Sequence, residues 1–87
     1  MMPAEDVVGS KELLEFIVKG LVDHPDEVQV AEAGYDDDAV LELSVAGSDM
    51  GRVIGRGGRV INAIRSLIQV AAAKEGRQVS VEILESD

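Results

Sequence analysis

Three glycines within four positions, Gly55-Arg56-Gly57-Gly58, constrain this chain more than any other feature. They fall between two apolar-patterned segments and force them to be separate helices joined by a loop. Ahead of the loop, Met50 to Ile54 has room for little more than one helical turn, and Gly47-Ser48-Asp49 offers an N-cap for it. Behind it, Val60, Ile61, Ile64, Leu67, Ile68 and Ala71 recur at helical spacing, while Asn62, Arg65, Ser66 and Gln69 lie off that face. Ile64, Leu67 and Ile68 are read as core, and Arg65 as part of a solvated face. Gly76 is a natural stop, with Lys74 as a helix-end charge in the last turn.

The remaining elements follow from periodicity. Ser10 is a plausible N-cap for a helix of about a dozen residues carrying Leu13, Leu14, Ile17, Val18 and Leu21, ending near Asp23-His24-Pro25. Val28 and Val30 alternate with Gln29 and Ala31 as a short strand. Leu41, Leu43 and Val45 alternate with Glu42 and Ser44 as a stronger one, and Val79, Val81 and Ile83 form a third. Gly34-Tyr35-Asp36-Asp37-Asp38 is turn chemistry, so the first two strands are expected to form a hairpin with a longer loop. Its aspartates are read as a solvated turn, because the spaced acids of a calcium loop are absent. Helix, strand, strand, short helix, long helix, strand predicts an α+β domain. A three-stranded mixed sheet carries the helices on one face, and the last strand returns through a helical crossover to pair in parallel.

Eighty-seven residues make one domain. Residues 1–9 read as a flexible leader and 10–87 as the folded unit. With no cysteine, neither disulfides nor thiolate metal ligation can support the fold, and the lone His24 cannot hold a metal without several carboxylates. No cofactor is expected. The N-terminus is acidic without the apolar run of a signal peptide, and no stretch approaches a membrane span, so a cytoplasmic protein without membrane contact is expected.

The net charge of −9 argues at first against a polyanionic partner, but its distribution argues otherwise. From Gly51 to Lys74 stand five bases (Arg52, Arg56, Arg59, Arg65 and Lys74) and no acid; the other residues carry seventeen acids against three bases. Screening over roughly 8 Å at physiological salt lets a ligand on the basic segment feel mainly that segment. The acidic remainder weakens long-range steering. A modest, local anion binder is expected.

The glycine loop can supply the contacts. Glycine leaves no Cβ to keep a ligand backbone away. The loop opens a helix whose first amides lack helical partners and whose dipole favours an anion. Arg56 and Arg59 add charge there, Arg52 lies one turn earlier, and apolar Ile54 and Ile61 flank the loop, where each can serve the core, a ligand or both. Phosphates on one side and an apolar shelf on the other suit a single nucleic-acid strand. Other phosphate motifs fail: no Gly-Lys pair exists for a Walker A loop, and Val60 stands where a dinucleotide fingerprint needs its third glycine. A helix-turn-helix would have a very short first helix and a recognition helix opening on Val60-Ile61-Asn62-Ala63, poor in donors for base edges. Tyr35 and Phe16 are the only aromatics, which disfavours modules that stack bases on rings. No cysteine nucleophile, second histidine or acid pair near the loop supports an enzyme.

Val53-Ile54-Gly55-Arg56-Gly57-Gly58-Arg59-Val60-Ile61 resembles the signature of the KH domain, whose GXXG loop clamps a nucleic-acid backbone. The element order resembles the type II topology, α-β-β-α-α-β. The chain as a whole resembles the small single-KH proteins of bacteria, the KhpA family. The likeness runs through Glu12 to Lys19, Leu21-Val22-Asp23-His24-Pro25, Asp49 to Gly55, Ala63-Ile64-Arg65 and Val79 to Ile83. The resemblance implies single-stranded RNA held by Arg52, Ile54, Gly55, Arg56, Gly57, Gly58, Arg59 and Ile61. It also implies an RNA-chaperone or post-transcriptional role linked to cell-envelope growth. The partner it implies is a second copy, or a KH-containing protein of the Jag or KhpB type. The leader is longer than in many members, and Gly57 replaces a commonly longer polar residue, which implies a looser, weaker loop. A protein-interaction adaptor with little RNA affinity stays open as the alternative.

Overall fold

The computed structural model describes residues 9–35 and 38–84. Residues 1–8 of the expected leader and Asp36-Asp37 of the expected turn lie outside them. The chain is an α+β domain with the expected order. Helix α1 spans Ser10–Leu21, strand β1 Gln29–Tyr35, β2 Asp38–Ser44, helix α2 Met50–Ile54, α3 Arg59–Lys74 and β3 Gln78–Ile83. The sheet order is β1-β2-β3, with β1 and β2 antiparallel and β2 and β3 parallel. A helical crossover through α2 and α3 makes that last pairing possible.

Register explains which side of the sheet the helices cover. Val30 faces Leu43 across β1 and β2, while Leu41 and Leu43 face Val81 and Ile83 across β2 and β3. Ala39, Leu41, Leu43, Val79 and Val81 are buried, whereas Ser80 and Glu82 are exposed on the other face beside half-buried Val40, Glu42 and Ser44. The helices therefore lie on one face. Leu14 and Val18 of α1, Val53 of α2, and Ile61, Ile64, Ile68 and Ala72 of α3 complete one core. Burying a side chain such as Leu14, Leu41 or Ile68, each fully buried, contributes roughly 1.5–3 kcal/mol.

Three expectations are corrected. Ser10 is the first helical residue rather than the cap: Gly9 holds the N-cap position with no side-chain bond. Ser10 instead donates its N–H to Glu75 Oε2 (2.6 Å) and its hydroxyl to Glu75 Oε1 (3.2 Å), so a carboxylate from the end of α3 caps α1. The hairpin is tighter than expected, because pairing continues to Tyr35 opposite Asp38 and leaves only Asp36 and Asp37 between the strands. Leu67 is not core. Successive helical residues are about 100° apart, and the buried line runs Ile61, Ile64, Ile68, Ala72, which turns Leu67 (54% exposed) and Val70 (61%) outward. Of the two isoleucines open to either a core or a ligand role, Ile61 belongs to that buried line, at 5% exposure, and packs into the core. The C-terminal stop is as expected: the Arg77 N–H returns to the Ala72 carbonyl (3.1 Å) just past Gly76.

Candidate nucleic-acid interface

The glycine loop is held from behind by α2. This helix is only five residues long and is anchored by fully buried Val53. Its entrance is fixed by Asp49, the member of Gly47-Ser48-Asp49 that holds the N-cap position, with no side-chain bond to the helix. The carboxylate instead turns back to the connection between α1 and β1. It accepts the Asp23 N–H at Oδ1 (3.1 Å), the His24 N–H at Oδ2 (3.0 Å) and the His24 ring at Nδ1 (3.1 Å). Asp49 is almost wholly buried. Burial pushes its pKa up, but the bonds from the Asp23 backbone and from the His24 ring and backbone more than offset this and hold it below 3.8. The bond to Asp49, with its charge, holds His24 above 6.5. Two segments far apart in sequence, 21–25 and 49–55, are thus stitched directly behind the loop.

Gly55 follows α2 with φ 76° and ψ 170°. A Cβ there would run into the Val60 side chain and lie 2.8 Å from the Val60 amide nitrogen, so the loop can fold onto α3 only through glycine. The Gly58 N–H closes onto the Gly55 carbonyl (3.1 Å), and the Arg59 N–H onto that of Arg56. The amides of Arg56 and Gly57 enter no backbone hydrogen bond among the described residues. Two unpaired donors thus sit on the exposed loop, at the positive end of a 16-residue helix without an acid. Successive free amides in such a turn form an anion-binding concavity.

Arg56 and Arg59 are exposed and make no ion pair among the described residues. Arg52 is also exposed, but its guanidinium is paired to Asp23 (3.1 Å). Ile54 is 36% exposed beside the loop. The structure therefore brings Arg52, Ile54, Gly55, Arg56, Gly57, Gly58 and Arg59 to one surface and withdraws Ile61. Arg65 is not simply solvated: its Nε donates to the Val81 carbonyl on edge strand β3 (3.2 Å), with Nη1 3.4 Å from Asn62 Oδ1. Arg59, Asn62 and Arg65, three residues apart, make a polar track from the loop to that edge, which helical spacing in the sequence already contained.

The surface clefts lie elsewhere. They are lined by residues such as Ala73, Gly76, Arg77 and Gln78, or Ser10, Glu32 and Glu75, at the far end of α3, about 24 Å along its axis. The candidate site lies on the exposed loop, apart from these two clefts. Among the described residues no cluster of three metal-ligating side chains occurs, and no helix is long and apolar enough to cross a membrane.

Comparison with known proteins agrees with this architecture. The sequence profile of the KhpA/KhpB KH domain matches residues 11–83. "RNA-binding protein KhpA" of Clostridium acetobutylicum is 55% identical over 74 residues, covering 85% of this chain and 99% of that protein. The protein of the same name from Borreliella burgdorferi is 50% identical over 74 residues, covering 85% and 90%. That from Chlamydia trachomatis is 45% identical over 75 residues, covering 86% and 96%. With the glycine loop, the mixed sheet and this likeness over nearly its whole length, the chain belongs to the KhpA/KhpB family of KH domains.

Proposed function

We propose that this chain binds single-stranded RNA by seating backbone phosphates on the Gly55–Gly58 loop. The observation that carries the reading is the pair of unengaged amides at Arg56 and Gly57, set between two unpaired arginines at the start of an acid-free helix. The names of its relatives point the same way. Arg56 and Arg59 neutralise phosphates, Ile54 offers apolar contact, and the strand continues along Asn62 and Arg65 towards the β3 edge.

A few nucleotides per groove give limited specificity. Pairing with a second copy or a KhpB-type protein therefore belongs to the same proposal, since a second groove raises avidity through effective concentration. Phe16 (78% exposed), Leu67 and Val70 are the most exposed of the large apolar side chains on α1 and α3 among the described residues. A cytoplasmic RNA-chaperone or post-transcriptional role connected with envelope growth follows from the family resemblance.

The test is a titration of labelled single-stranded RNA, with duplex DNA as control, against the parent and the double variant Arg56→Asp, Gly57→Asp. Gly57 has φ 64°, ψ 18° and open space around it, a conformation aspartate can adopt, so the variant is expected to fold. Only the parent should bind, and it should prefer the single strand. With two or three phosphates neutralised, log K should fall against log salt with a slope of about −1.4 to −2.1. Equal binding by both proteins overturns the loop assignment. Binding by neither makes the domain a protein-interaction adaptor.

A further inference from the structure

We propose that Asp23 is an internal competitor for the phosphate that Arg52 would otherwise hold, and that it thereby lowers the affinity of the loop for RNA. The inference rests on the clamp reading above and deepens it. Of the three arginines around the loop, only Arg52 forms an ion pair among the described residues, with its Nη2 3.1 Å from Asp23 Oδ2. Arg52 stands three residues before Gly55, on the helix that ends in the loop.

The carboxylate does not reach Arg52 by the chance wandering of a surface side chain. The Asp23 N–H is bonded to the buried Asp49 carboxylate (3.1 Å), which also holds the next N–H, that of His24 (3.0 Å). Asp49 thus fixes the backbone of Asp23 at the entrance to α2, and the Asp23 side chain is presented to Arg52 from that anchor. A carboxylate offers a guanidinium the same paired oxygens as a phosphate. The pair is also displaceable in strength. Its side chains are 57% and 64% exposed, and exposed pairs are weak. The arrangement gives a use to Asp23, in a segment the family resemblance covers but the clamp itself does not employ.

The experiment titrates a short labelled single-stranded oligoribonucleotide at a series of salt concentrations. It uses the parent, Asp23→Asn, Arg52→Gln, the double variant of these two, and Glu27→Gln. Asparagine retains the N–H bonded to Asp49, so thermal melts of Asp23→Asn should match the parent. Glu27 is an exposed acid on the neighbouring turn with no ion pair among the described residues, so its variant controls for the loss of one negative charge. Asp23→Asn is expected to bind about two- to fivefold more tightly at low salt. Its log K should fall more steeply with log salt, by about 0.7, because Arg52 now neutralises one further phosphate. In the Arg52→Gln background the Asp23 substitution should change nothing. If Asp23→Asn behaves like Glu27→Gln, weakens binding, or acts equally without Arg52, the competition is refuted while the clamp stands. If neither the parent nor Asp23→Asn binds the strand, the clamp reading falls and the competition with it.

Discussion

Replacing Gly55 with alanine tests whether the backbone of the loop is fixed by sterics, and its cost can be worked from two features. The first is conformation: at φ 76° and ψ 170° the residue lies in a region almost reserved for glycine, where a side chain costs about 1–3 kcal/mol. The second is space. The new Cβ meets the Val60 side chain and sits 2.8 Å from the Val60 nitrogen, in the first turn of α3, and overpacking of this kind costs about 1–3 kcal/mol. If α3 yields in part, the sum is about 2–4 kcal/mol, a large share of the roughly 5–15 kcal/mol that holds a domain together. Gly57→Ala is the internal control. Its φ of 64° carries only the left-handed penalty of about 1 kcal/mol, since nothing lies within 4 Å of the added carbon. Thermal unfolding followed by far-ultraviolet circular dichroism measures both. At about 4–8 °C per kcal/mol, the melting temperature should fall by about 8–32 °C for Gly55→Ala and by about 4–8 °C for Gly57→Ala. If Gly55→Ala proves no more costly than Gly57→Ala, the steric account of the loop is wrong.

Two further outcomes are expected. Asp49 raises the His24 pKa above 6.5, so the stabilisation from the protonated ring is full below 6.5 and is lost as pH rises through the folded value. Thermal melts of the parent and His24→Gln should therefore converge as pH increases, and a gap independent of pH would show that the ring's titration is not coupled to folding. The lowered Asp49 pKa places its own contribution at the acid end, present above 3.8 and lost as pH falls through the folded value. On α3, Ile68→Ala should cost about 2–5 kcal/mol by urea unfolding. Leu67→Ala, one residue away on the outward side, should stay within about 0.5 kcal/mol. Similar losses at the two positions would place Leu67 in the core after all.

Elements whose signals are local were legible in the sequence. The strands were visible as alternation, α3 as helical spacing, and the loop as glycines that nothing but a sharp joint would require. What escaped were interactions between residues distant along the chain. Ser10 looks like a cap because serine so often is one, but its partner is Glu75, 65 positions away. Asp49 likewise precedes a helix as a cap would, but its carboxylate satisfies amides 25 and 26 positions earlier. Leu67 was misplaced because a face drawn through six apolar positions is wider than the strip a sheet can cover, and the phase of the helix decides which flank is left in water. Ile61, open to either role in the sequence, falls to the core because the first turn after the loop already dips into it. The glycines and arginines of the candidate site were legible as a loop with local positive charge. The pairing that occupies Arg52 was not, because nothing in the spacing of Asp23 and Arg52 announces it.

The carboxylate of Glu75 on the first turn of α1 also says something about the order in which this protein can be finished. During synthesis α1 leaves the ribosome first, yet its capping group arrives 65 residues later, after α3 has been made. The same holds for the sheet, since β2 gains its parallel neighbour only with the final strand. A nascent chain that stops short of residue 75 thus has a first helix without its cap and a central strand with one open side. The first helix and the central strand are therefore completed only when the C-terminal elements are present.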